Sequence, residues 1–216
     1  IKKNKMGSYA DDALFMSRNN IEYVELISDD GKSKVMVIPA WQGRVMTTSA
    51  AGDEGDSYGW INYSFIKKRQ IDLQFNPVGG EERFWLGPEG GVFSLYFRQG
   101  EKQIYKNWKV PPVLDIEAFK IQSQSKNCIC LTKEGCLTNA CGTTFYLNIK
   151  RTISLLDINE FAASFNLEFP KDIKAVAYKS DNQITNIGNE SWNKETGLIS
   201  VWMLSMFNPT SATTVF

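Results

Sequence analysis

Apolar and polar residues alternate with a period of two along most of this chain, and that period predicts strands rather than helices. The clearest case is Thr144 to Lys150, with Phe145, Leu147 and Ile149 on one face and Tyr146, Asn148 and Lys150 on the other. Near the start, Tyr23 to Ile27 and Lys34 to Ile38 flank Asp29-Asp30-Gly31-Lys32, which is a hairpin signal. Gln42 to Thr48, beyond a Pro39-Ala40-Trp41 corner, then adds the third strand of a meander. Helical character is confined to Ser8 to Arg18, where Ser8 is a capping residue and Asp11 and Asp12 lie in the first turns. Its apolar stripe is expected to be Ala10, Ala13, Leu14 and Phe15.

The same reading predicts strands at Trp60 to Ile66, Arg83 to Leu86, Val92 to Arg98 and Val113 to Gln122. More are expected at Ile153 to Leu156, Phe161 to Leu167, Ile173 to Lys179, Gln183 to Gly188 and Leu198 to Met203. Val92 to Arg98 is apolar on both sides, as a strand covered on two faces would be. In Val113 to Gln122 the apolar parity changes near Ala118, which predicts a bulge. Short strands at close spacing with one helix and no βαβ alternation point to all-β architecture, a large antiparallel β-sandwich in one domain spanning residues 1–216. A dinucleotide-binding fold is excluded on the same ground.

Composition narrows the function. Lys plus Arg equals Asp plus Glu at 24 each, and no basic excess or stripe is visible beyond the short Lys2-Lys3-Asn4-Lys5 start and the Lys67-Lys68-Arg69 rim, so nucleic acid is not an expected partner. No apolar run approaches the roughly 20 residues of a membrane span, and Ile1 to Ser8 has no apolar core of the kind a signal peptide carries. Histidine is absent, which removes Ser-His-Asp and Cys-His catalysis and any His-bearing metal site. Cys128, Cys130, Cys136 and Cys141 do not have zinc-knuckle spacing. They read either as reduced thiols or as one or two disulfides, which would need an oxidising compartment. No cofactor motif is present.

Polar chemistry concentrates in Gly79-Gly80-Glu81-Glu82-Arg83-Phe84-Trp85-Leu86-Gly87-Pro88-Glu89-Gly90-Gly91. Glycines on both sides of a very short strand let the flanking loops bring charged groups together. The candidate ligand site is therefore Glu81, Glu82, Arg83, Trp85 and Glu89, with Trp60 and Asn62 beside it. On this reading Arg83 and the acids take hydroxyls or a carboxylate, Trp85 and Trp60 form the apolar wall, and the groups face an open hollow. The alternatives are a sugar-active enzyme using two of Glu81, Glu82 and Glu89 as acid and base, an interaction module, and charges that only hold the loops together. A second run, Asn186-Ile187-Gly188-Asn189-Glu190-Ser191-Trp192, and Trp202 read first as core or loop anchors. A Trp or Tyr beside Asn and Glu is also the arrangement that suits a sugar.

The glycine-rich ribbon, together with Gly59-Trp60-Ile61-Asn62 and Trp202-Met203-Leu204-Ser205-Met206-Phe207-Asn208-Pro209, resembles a bacterial family of uncharacterised proteins related to the galactose mutarotase (aldose 1-epimerase) superfamily. The resemblance implies a supersandwich that binds a sugar or glycan in a cleft on one face of a large sheet. It also tilts the expected compartment toward periplasmic or secreted. Aldose epimerases use a histidine acid with a glutamate base; this sequence has no histidine, and no motif here carries the glutamate, so mutarotase activity is not implied. Ala212 to Phe216 reads as a strand cut off in mid-course, so either the chain is partial or the sandwich is a reduced one.

Overall fold

A computed structural model describes residues 7–170 and 172–215. The Lys2-Lys3-Asn4-Lys5 run and Phe216 lie outside the described residues.

Helix α1 (Tyr9–Arg18) starts where expected, with the Ser8 hydroxyl accepting from the Asp11 amide and the Asp11 carboxylate accepting from the Ser8 amide. Its buried face is Tyr9, Asp12 and Met16, not the predicted stripe, and Leu14 is exposed. Asp12 accounts for the rotation. Its carboxylate accepts hydrogen bonds from the Ser57 and Tyr63 hydroxyls, turning a polar position inward.

The meander is as predicted: β1 (Val24–Ile27), β2 (Lys34–Ile38) and β3 (Arg44–Ser49) pair in order, all antiparallel. The pairing shifts between Met36 and Val37. Strand β2 is buried on both faces: Val35 and Val37 join the main core, whereas Met36 and Ile38 pack with Tyr9, Met16 and Met46 in a second core that includes α1. The Trp60 to Ile66 segment is not a strand. Asn62 instead caps a single helical turn, α2 (Tyr63–Ile66), by accepting from the Phe65 amide. A side-chain cap overrides aromatic β propensity here.

Strand β4 (Arg83–Gly87) follows the predicted bounds closely. Val45 and Glu82 exchange backbone hydrogen bonds of 3.1 Å, which ties β4 to the edge of the meander. Val92 to Arg98, read as a strand, is a succession of bends, held by Leu95 N donating to Pro88 O and Ser94 Oγ donating to Glu89 O. Val113 to Gln122 divides into a turn of helix, α3 (Pro112–Asp115), and strand β5 (Lys120–Gln124). The parity change near Ala118 marks that junction, and the expected irregularity in pairing falls later, between Ile121 and Ser123.

Strands β6 (Cys128–Thr138) and β7 (Thr144–Leu155) form the longest hairpin. Phe145, Leu147 and Ile149 face inward as their alternation requires, and Ile153 belongs to the same strand rather than to a separate one. Phe161 to Leu167 holds helix α4 (Ile158–Ser164), not a strand, because Asp157 caps it with bonds from the Asn159 and Glu160 amides. Strand β8 (Tyr178–Asn186) takes in most of the strand expected at Gln183 to Gly188 but only the last two residues of the one expected at Ile173 to Lys179; residues 173–177 form no strand. Strand β9 (Ser200–Leu204) pairs with β4, and Ala212 to Val215 forms no strand.

The result is an all-β, sandwich-like fold. One layer runs β1-β2-β3 and continues through the Val45–Glu82 bridge to β4-β9; the other is β5-β6-β7-β8. The main core lies between them, with Val35, Val45, Phe84 and Leu86 from the first and Ile129, Leu147, Ile149 and Ile153 from the second. All four cysteines are unbridged. Among the described residues no helix is long and apolar enough to cross a membrane.

Candidate functional site

The glycine-rich ribbon enters β4 through Gly79 and Gly80, with φ of 95° and 117°. A Cβ on Gly79 would stand 2.3 Å from Trp60 O, and one on Gly80 would stand 2.5 Å from Arg44 Cδ. These glycines are required by close packing of the ribbon on its own neighbours. Past them, successive strand residues turn to opposite sides. Glu82 and Phe84 reach Arg151 of β7: Arg151 Nη2 lies 2.6 Å from Glu82 Oε1, and its guanidinium carbon is 5.3 Å from the Phe84 ring centre. Arg83 and Trp85 turn the other way, where Arg83 Nη2 donates to Asp115 Oδ1 at 2.8 Å and to Leu114 O at 2.8 Å.

Arg83 also lies 4.2 Å from the centre of the Trp85 ring. Trp85 stacks on Tyr96, Tyr96 on Trp108 and Trp108 on Tyr105, at 5.4, 5.4 and 6.2 Å between ring centres. A column of four rings thus runs from a buried cation to an exposed tyrosine. Trp85 Nε1 donates to Glu89 Oε1 at 2.8 Å. The structure therefore brings Trp85 together with Arg83 and with Glu89, but Arg83 takes Asp115, not Glu89, as its carboxylate.

Glu81, Glu82 and Arg83 are 3%, 5% and 0% exposed. The shared open hollow expected beside them is not what the structure shows. Both Glu81 carboxylate oxygens accept from Thr48 Oγ1 at 3.0 Å. Burial nonetheless pushes the Glu81 pKa up from 4.5 to about 7, against the opposing effect of the Thr48 bonds. Arg44, a third interior guanidinium, donates to Gly79 O at 2.7 Å, and burial followed by repulsion from Arg83 presses its pKa well down. Trp60 is 37% exposed, at the far side of Gly79. Asn62 is occupied as the α2 cap and by donating to Pro77 O at 2.9 Å. The ribbon and its charges form an interior frame joining β3, β4, α3 and β7. Paired-carboxylate catalysis needs a substrate between the acids, and Glu81 and Glu82 have interior partners there instead.

The sequence reading passed over Arg44, Asp115 and Arg151, each of which reaches the ribbon only through tertiary pairing. A different hollow gathers the second polar run. Register places Tyr146 of β7 next to the end of β8, and Ile187 N donates to Tyr146 O at 3.0 Å. The turn after β8 is built by Asn186: its Oδ1 accepts from Gly188 N at 2.9 Å and its Nδ2 donates to Glu190 O at 2.8 Å. Tyr146 packs against Gly188, where an added Cβ would stand 3.3 Å away. Trp192 is anchored edge-on to Phe145, 5.7 Å between ring centres. Tyr146, Asn189, Glu190 and Trp192 line a cavity of about 400 Å³. Tyr146 is 54% exposed, and the Asn189 and Glu190 side chains are exposed at its rim. Trp192 and its run were legible in the sequence; Tyr146 was legible only as an outward residue of β7. No group of three or more potential metal-ligating residues occurs among the described residues.

These features define an all-β sandwich protein with a charged interior frame and a small aromatic-walled hollow at one sheet end. The chain belongs to a family of unknown function (DUF6786), whose model matches residues 7–216. No curated protein and no solved structure matches it.

Proposed function

We propose that this protein binds carbohydrate, as a β-sandwich of the galactose mutarotase-like kind without mutarotase chemistry, and that the Tyr146–Trp192 hollow holds the sugar. The observation that carries the reading is the hollow itself. Its volume of about 400 Å³ falls in the range of small-molecule sites. Two aromatic side chains border it, and rings of this kind cover the C–H faces of a sugar. The Asn189 amide and the Glu190 carboxylate stand at the same rim, offering a donor and acceptors to hydroxyls.

The absence of histidine argues for binding without epimerisation. The test is a panel of neutral sugars and uronic acids screened by thermal shift, since a ligand that binds only the folded state raises Tm, followed by titration of each hit. Saturable binding that is lost in Trp192→Ala and Tyr146→Ala, with the sugar recovered unchanged, is the expected result. A panel without a hit, or binding indifferent to both substitutions, refutes the reading.

A further inference from the structure

A second hollow, of about 470 Å³, opens where the bends at 95–99 meet 107–112 and the far end of β6, next to the first: Cys136 and Thr138, which line it, pair with Tyr146 and Thr144, which line the other. Its apolar surface comes chiefly from Leu73, 83% exposed, and from Pro111 and Pro112, over a floor of Leu95, Phe97, Val110 and Leu137, which belong to the main core. The cations at this hollow are Arg98 and Lys109, both exposed, and neither has an ion-pair partner among the described residues. No Asp or Glu lines it. The neighbouring amides are already engaged: Gln99 Nε2 donates to Cys141 O, Asn107 Nδ2 to Lys102 O and Asn139 Nδ2 to Thr196 O. What the hollow leaves free is therefore positive charge at the rim and hydrocarbon within, together with the Gln99 and Asn107 amide oxygens.

We propose that this hollow is a binding site for a small amphipathic carboxylate, a ligand with an apolar body and one anionic head. The body would displace water chiefly from Leu73 and the Pro111–Pro112 edge, where apolar contact is favourable in proportion to area. The head would sit between the Arg98 guanidinium, which offers a bidentate fork, and the Lys109 ammonium. A neutral sugar fits poorly, because the walls offer few free hydroxyl partners. The site is separate from the Tyr146–Trp192 hollow and does not depend on the carbohydrate reading.

Cys136 lines the same hollow and its side chain is exposed, so it reports occupancy. The probe is octanoate, with octanamide as an uncharged ligand of the same apolar body and without a sugar ring. In a Cys128→Ser, Cys141→Ser background, octanoate is expected to slow reaction of Cys136 with a thiol reagent saturably, and octanamide to do so far more weakly. Substituting both surface cations, Arg98→Ala with Lys109→Ala, should weaken octanoate about tenfold or more, while Arg98→Lys retains part of the affinity. Equal protection by the two probes, octanoate protection unchanged in the doubly substituted protein, or no saturable protection overturns the proposal. Neither probe carries a sugar, so the Tyr146–Trp192 hollow does not enter these outcomes, although Tyr146 pairs with Cys136 across β6 and β7.

Discussion

Glu81→Gln separates a buried structural acid from a working one by the dependence of stability on pH. In the folded protein Glu81 is 3% exposed and its pKa is raised from 4.5 to about 7, burial being the largest cause. The unfolded chain ionises near the ordinary value, so between about pH 4.5 and pH 7 the native state holds a proton that the unfolded state has lost. Stability from this group is thus fully present below the unfolded pKa and is lost as pH rises through the folded one. At about 1.4 kcal/mol per pH decade the full displacement corresponds to about 3 kcal/mol, most of which falls between pH 5 and pH 8. A glutamine side chain has nearly the same shape, can still accept from Thr48 Oγ1, and does not titrate. Urea unfolding of both proteins at about pH 5, 6, 7 and 8 measures the difference directly. The gap between the Glu81→Gln variant and the native protein should move in favour of the variant by about 2 to 3 kcal/mol across that range. A gap constant to within about 0.5 kcal/mol would show that Glu81 ionises normally and that its burial has been misread.

The other consequences of the interior frame are read by denaturation. Asp115→Ala leaves the Arg83 guanidinium buried without its carboxylate and should destabilise by about 3–5 kcal/mol, with Arg83→Leu in the same chain recovering part of the loss. Gly80→Ala forces a Cβ to within 2.5 Å of Arg44 Cδ at a φ of 117° and should lower stability by about 2 kcal/mol or more; an unchanged midpoint would mean that the ribbon can move off β3. Ser8→Ala removes one half of the α1 capping box and should lower stability by about 1 kcal/mol, measured as a shift in Tm.

How much of this could be read from the chain depends on where each signal resides. The β7 face was legible because period-two alternation is a local property, and Phe145, Leu147 and Ile149 lie inside as it requires; the meander was legible from its hairpin turn, and β4 from the glycines that flank a short apolar run. The failures at Trp60 to Ile66 and Phe161 to Leu167 have a common cause. Both are rich in residues that favour strands, yet Asn62 and Asp157 supply caps that favour a turn of helix. At Val92 to Arg98 the alternation is present, but the backbone is bonded to Pro88, Glu89 and Ser94 within its own loop.

The ribbon was recognised as the place where polar chemistry concentrates. Its direction was not, because whether a carboxylate faces solvent or an arginine depends on partners far along the chain. Arg151 meets Glu82 from 69 residues away and Asp115 meets Arg83 from 32. Conversely, Tyr146 and Glu190 come into one hollow only through the β7–β8 register, which no local pattern contains.

The most direct measurement is a two-dimensional NMR titration of the protein, labelled at its tryptophan indoles and backbone amides, with the best hit from the sugar panel. Six tryptophans give six indole reporters. Saturable shifts are predicted at the Trp192 indole and at the amides of Gly188, Asn189 and Glu190, with the Trp85 indole, bonded to Glu89 inside the frame, left unmoved. Shifts centred on Trp85, Glu89 and Gly90 instead would return the ligand to the ribbon and contradict a sugar site at the Tyr146–Trp192 hollow.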